Sequence, residues 1–186
     1  MINKSIIIIF LFLCITVGCE SPNESYINAE QYYPLEIGNK WYYSFDQTDI
    51  NVFNEVKEII SISVISNKSY YKTVVYGLPP STYSDTSYFR AERSKLFCGM
   101  TTKINGMPTF TEKLVADFSL KIGDTIRVNP YEYITVIEKG DENIKFSDYS
   151  EGLYGRTKFQ KGIGIIESVV SNAVIHRRVL VKSELK

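Results

Sequence analysis

FNEVKEIISISVISNKSYYKTVVY, residues 53–76, is the stretch that decides the fold class. Ile60, Ile62 and Val64 fall on one side of an extended chain, with Ser61 and Ser63 on the other. Successive side chains of a strand point to opposite faces, so this alternation predicts a strand with one face on a core. Asn67-Lys68 predicts a hairpin turn into a second strand over Tyr70–Tyr76, rich in the Val, Thr and Tyr that suit a pleated surface.

Further strands are expected on both sides. Upstream, Lys40–Phe45 (KWYYSF) is short and aromatic. Downstream, Leu78-Pro79-Pro80-Ser81 interrupts the pattern, because proline cannot donate to a ladder. Ser87–Arg93 and Lys95–Cys98 resume it. Asn105-Gly106, between Thr101–Ile104 and Met107–Lys113, has the positive φ preference of a type I′ hairpin turn. Thr125–Val128, Tyr131–Glu138, Asn143–Phe146, Gly164–Val170 and Val174–Lys182 follow, with Gly140-Asp141 and Ser171-Asn172 as turns. Phe110–Leu120 is the one ambiguous stretch. Roughly ten strands on short turns predict an all-β domain, an antiparallel meander forming a strongly curved sheet or barrel rather than a two-sheet sandwich.

One pattern occurs twice. Leu35-Glu36-Ile37-Gly38-Asn39 and Leu120-Lys121-Ile122-Gly123-Asp124 both read Leu-x-Ile-Gly-Asn/Asp and both precede a strand. The expectation is a turn whose glycine takes a positive φ, with the Asn or Asp side chain bonding the next backbone NH and with Leu and Ile anchored in the core.

The N-terminus has another character. Lys4 precedes the apolar run Ile6–Val17, which as a helix spans about 18 Å. That is short of the ~20 apolar residues needed to cross a bilayer, and it fits the apolar region of a signal peptide. Thr16-Val17-Gly18-Cys19 resembles the lipobox of bacterial lipoproteins, with Thr16 in place of the usual Leu. The resemblance implies cleavage between Gly18 and Cys19 and lipid on the Cys19 thiol, which holds a protein stably when two or more chains insert. The expected organisation is a signal-peptide helix over residues 1–18, a flexible tether over 19–30 and a single β-rich domain over 31–186.

Tyr33-Pro34-Leu35-Glu36-Ile37-Gly38-Asn39-Lys40-Trp41-Tyr42, the segment Asp117–Thr125 and Gly162-Ile163-Gly164 together resemble a group of outer-membrane lipoproteins of Bacteroidota-type envelopes. The resemblance implies a lipid-anchored, β-rich protein of the outer membrane and carries no agreed activity. Glu20–Glu24 lacks the tight acidic cluster that accompanies surface export in that group.

Composition narrows the function classes. Twenty-one basic side chains balance twenty-one acidic ones, and only Lys4 lies in the leader. There is no basic excess to grip phosphates, which argues against a nucleic-acid partner. With Cys14 in the leader and Cys19 lipidated, Cys98 is left without a disulfide partner and reads as a small buried hydrophobe. His176 is the only histidine, which leaves no usual zinc set and no cofactor motif. A Ser-His-Asp triad would have to use His176, and no Gly-x-Ser-x-Gly elbow precedes it. All fourteen tyrosines follow Cys19, which suits half-buried strands and also binding surfaces. Trp41, Tyr42 and Tyr43 are the candidates to face a ligand, with a core plug as the plainer role for Trp41.

The function expected is a membrane-anchored, non-enzymatic binding module for an envelope protein, an apolar ligand or a glycan. The alternative is a carboxylate-dependent hydrolase acting on envelope polymers, with Asp117, Asp124 and Glu132 as its candidate acids.

Overall fold

The computed structural model describes residues 27–45, 54–79, 82–150, 152–171 and 175–186. The signal peptide, Gly18, Cys19 and most of the tether lie outside the described residues. Where description begins, the chain is already part of the domain. Ala29–Gln31 form a 3₁₀ turn capped by the Asn28 side chain, and Ala29 is fully buried. The tether expected through Glu30 therefore ends earlier, because Ala29 packs into the core and its NH bonds Arg93 O at 2.8 Å.

Twelve strands follow among the described residues. The first six are β1 (Lys40–Phe45), β2 (Glu55–Ile65), β3 (Lys68–Gly77), β4 (Ser84–Glu92), β5 (Lys95–Ile104) and β6 (Met107–Asp117). The second six are β7 (Thr125–Asn129), β8 (Glu132–Lys139), β9 (Asn143–Ser150), β10 (Leu153–Gln160), β11 (Gly164–Ser171) and β12 (Ile175–Glu184). All belong to one antiparallel sheet ordered β6-β5-β4-β3-β2-β1-β12-β11-β10-β9-β8-β7. The protein is all-β, a meander nearly closed into a barrel. Its first and last strands pair with each other, and its edges, β6 and β7, come from the middle of the chain. Phe110–Leu120 is strand as far as Asp117 and then turns. Pro108 and the charged Lys113 on edge strand β6 are the kinds of residue that discourage a foreign strand from pairing there.

Hairpin alternation puts every odd-to-even connection, such as β3–β4, at one end, here the rim. Every even-to-odd connection lies at the other, the base. The base is plugged by aromatics. Tyr33 stacks on Trp41 with ring centroids 5.2 Å apart and tilts onto Phe89 at 5.1 Å. Tyr32 stacks on Phe118, which meets Phe146 and Phe159 edge-on. Each such ring contributes about 1.5–3 kcal/mol by burial, and each favourable ring pair somewhat more.

The repeated turn is a structural repeat. Gly38 and Gly123 have φ of +96° and +89°. Gly38 NH bonds Ile59 O and Ile59 NH bonds Asn39 O; Gly123 NH bonds Val136 O and Val136 NH bonds Asp124 O. A β-bulge follows each of the two partners, Ile59 and Val136. Tyr33 and Phe118 stand at the same place ahead of the two turns, so each half of the sheet opens with one aromatic plug and one glycine turn. Two expectations differ in detail. Leu35 is buried, but Ile37 and Ile122 are exposed. The Asn39 side chain reaches Pro34 O and Lys186 NH, and Asp124 accepts from Lys121 NH, not from the next residue.

The opening stretch is a strand, but the face expected to meet the core is reversed. Ile60, Ile62 and Val64 are exposed, and the serines lie on the more buried side. Burial alternates without a break along the strand: Glu55, Lys57 and Ile59 point inward, Ser61 and Ser63 follow them on that face, and the even-numbered Ile60, Ile62 and Val64 point outward. Beyond Glu58 the strand has left β1 and is paired only with β3, so the β2–β3 hairpin overhangs the base.

Candidate functional site

The inward-facing residues divide into an apolar base and a more polar upper interior. In the upper part, a cavity of about 210 Å³ opens between edge strand β6 and strands β7–β11. Lys113, Glu132, Asp148, Ser150, Thr157 and Ser168 supply its polar groups. Val115, Val128, Ile134, Phe146 and Val170 are among its apolar ones, and Tyr133 and Tyr149 also line it.

Asp148 is positioned by strand alternation. Ile144 and Phe146 point into the core from β9, and Asp148 is the next residue on that face. Across the ladder it faces Gly155 of β10. A Cβ on Gly155 would sit 2.4 and 2.5 Å from the two carboxylate oxygens, so the glycine makes room for the acid. Burial pushes the Asp148 carboxyl above the usual carboxylate range, Lys113 opposes that rise and Glu132 adds to it. Glu132 accepts bonds from the Ser150 hydroxyl and from the Asn129 side-chain amide. Thr157 and Ser168 are cross-strand partners on β10 and β11. Outside, Tyr133 stacks on Tyr149 at 5.1 Å and Tyr149 meets Tyr154 at 4.9 Å, an aromatic row across β8, β9 and β10.

A second polar group sits on β1–β4 and β12. Glu55 is fully buried, accepts from the Tyr83 hydroxyl and pairs with Arg178 at 3.2 Å, while Arg178 lies over the Phe45 ring. Two residues along, Lys57 holds its ammonium 4.1 Å from the Phe89 ring centre and 5.1 Å from that of Tyr33. Burial lowers Lys57 from 10.5 to about 8, with the nearby Cys98 and Glu55 opposing and Arg178 reinforcing that fall. The unfolded chain therefore keeps a proton that the folded one lacks between about pH 8 and 10.5, and stability rises with pH across that window. Lys57→Met is expected to stabilise the protein by about 1–3 kcal/mol at pH 7. The gain should be full below pH 8 and shrink to nothing by about pH 10.5, as read by urea unfolding at several pH values. A gain independent of pH would show that the charge is not what costs stability.

The residues singled out from sequence are scattered. Trp41 is fully buried and donates from its indole NH to Ile163 O at 2.5 Å. Tyr43 is buried and donates to Ile165 O, whereas Tyr42 bonds Glu184 on the outer side. Trp41 and Tyr43 thus build the core and offer no ring face to a ligand. Asp117 lies at the base, where burial raises its carboxyl but bonds from Ser119 and Ser94 outweigh that and hold it low. Asp124 belongs to its turn. Of the three candidate acids only Glu132 reaches the cavity. Its neighbour there, Asp148, lies beyond the expected strand end at Phe146: β9 runs on to Ser150, and Ile144, Phe146 and Asp148 continue one period-two face. His176 is exposed on β12. Cys98 is half-buried against the core, and burial pushes its thiol up. Among the described residues no three His, Cys, Asp or Glu side chains are grouped as a metal site would require.

Fold and cavity together define a twelve-stranded, barrel-like β protein with an acid-bearing pocket at its seam. No family model, curated protein or solved structure matches the chain.

Proposed function

We propose that the chain is the precursor of an outer-membrane lipoprotein, anchored by lipid on Cys19, whose barrel-like sheet binds a small envelope ligand without transforming it. The cavity at the seam carries the reading. It joins apolar walls to a few convergent polar groups, one of them an acid raised by burial, which is the usual make-up of a ligand site. At about 210 Å³ it is smaller than the roughly 300–1,000 Å³ of most ligand pockets. It suits a compact group with an apolar face and a hydroxylated edge, such as one sugar ring of a glycan.

The test is binding of short envelope glycans by calorimetry. Gly155→Ala, which drives a methyl group into the Asp148 carboxylate, is expected to weaken binding by about tenfold or more, and Asp148→Asn by a similar factor. Both should leave the far-ultraviolet spectrum unchanged. Undiminished affinity in both variants would remove the cavity from consideration. The anchor is tested separately: Cys19→Ala is expected to leave an uncut precursor that takes up no labelled fatty acid.

One observation favours the hydrolase as a second reading. Asp148 and Glu132 share the cavity, and an acid that burial keeps protonated to higher pH is suited to donate a proton. Turnover of an envelope polymer, lost in both Asp148→Asn and Glu132→Gln, would place catalysis there; binding without turnover places recognition there.

A further inference from the structure

We infer that the base of the sheet rests on the membrane leaflet that carries the protein's own lipid anchor, with the rim turned away from it; this rests on the anchoring of Cys19 proposed above. The first observation is where the chain enters. Ile27 packs against the core and Ala29 NH bonds Arg93 O in the β4–β5 turn, which belongs to the base. Cys19 precedes Ile27 by eight residues, a reach of at most about 28 Å when fully extended. A ten-residue strand such as β3 spans about 33 Å, so the rim stands a full strand farther from the lipid.

The second observation is what the base displays. The overhanging β2–β3 hairpin carries Ile62 at 50% and Val64 at 72% exposure. Beside it Ile37 and Ile60 are exposed at the first glycine turn, and the structural repeat sets Ile122 and Ile137 at the second. Each half of the sheet therefore turns an isoleucine pair outward at the same end, and the tether starts from that end. Exposed apolar side chains on either side of an anchoring point are what shallow insertion at a bilayer surface uses, and a single lipid-bearing residue leaves tilt unrestrained without them.

The experiment is hydroxyl-radical footprinting of the mature lipidated protein on vesicles of phosphatidylethanolamine and phosphatidylglycerol. The reference is residues 19–186 carrying Cys19→Ala, free in solution. Labelling of Ile62, Val64 and Ile122 is expected to fall by about threefold or more on vesicles, with Met107 and Tyr131 at the rim unchanged. If the protein floats with vesicles but the base labels as in solution, the seating is wrong while the anchor stands. If rim residues are protected instead, the orientation is reversed. If the lipidated protein fails to float at all, the anchoring reading falls and this inference with it. Protection at the base in the free reference that grows with its concentration would assign the surface to a second copy of the chain and overturn the inference.

Discussion

Trp41→Ala is expected to lower the unfolding free energy by about 3–5 kcal/mol. Trp41 is fully buried, stacks on Tyr33 and ties β1 to the β10–β11 turn through Ile163 O. Truncation removes the ring, leaves a cavity under Tyr33 and strands a carbonyl acceptor. Trp41→Phe should cost less, because it keeps an apolar ring and forfeits mainly the indole bond. Urea unfolding of the two variants checks both statements, and equal losses would mean that the bond to Ile163 matters more than the packing. Gly164 shows how tight the site is: a Cβ there would lie 3.0 Å from the indole nitrogen.

Arg178→Met is expected to cost about 3 kcal/mol, because it removes the ion pair of the fully buried Glu55 carboxylate and leaves it, among the described residues, the hydrogen bond from the Tyr83 hydroxyl and the more distant Lys57 charge. The loss belongs to the stranded acid more than to the ion pair, so Glu55→Leu combined with Arg178→Met should recover most of it. A double-mutant cycle by chemical denaturation measures this. Simply additive losses would show that the two side chains do not depend on each other.

How much of this was legible follows from which interactions are local. The Asn105-Gly106 turn has both residues at positive φ, as the dipeptide demands. The first hairpin turns at Ser66-Asn67, one residue earlier than expected, with φ of +50° and +61°. The boundaries of β1 were readable because KWYYSF is aromatic and bounded by polar residues. Strand β10 was not, since its inward face is Gly155, Thr157 and Phe159 between lysine and arginine, a pattern with little apolar contrast. Gly155 has meaning only beside Asp148, and that juxtaposition depends on a cross-strand register that no short window contains. The outward turn of Ile60, Ile62 and Val64 was hidden for a related reason: the inward face of β2 is set at its start by Glu55, Lys57 and Ile59, two of them charged, so hydropathy alone points to the wrong face. The cavity itself, drawn from residues of six strands, is wholly a product of the sheet's curvature.

The pairing of β1 with β12 has a consequence for how the polypeptide reaches its final form. Every other ladder joins neighbours in the chain, so each six-strand half can zip up as a run of short-range hairpins. Only one ladder joins the halves, and it forms only when β1 and β12 meet. Until then both β1 and β12 present a free edge, and the slow, exposed stage of maturation is the docking of two preformed meanders rather than the formation of either.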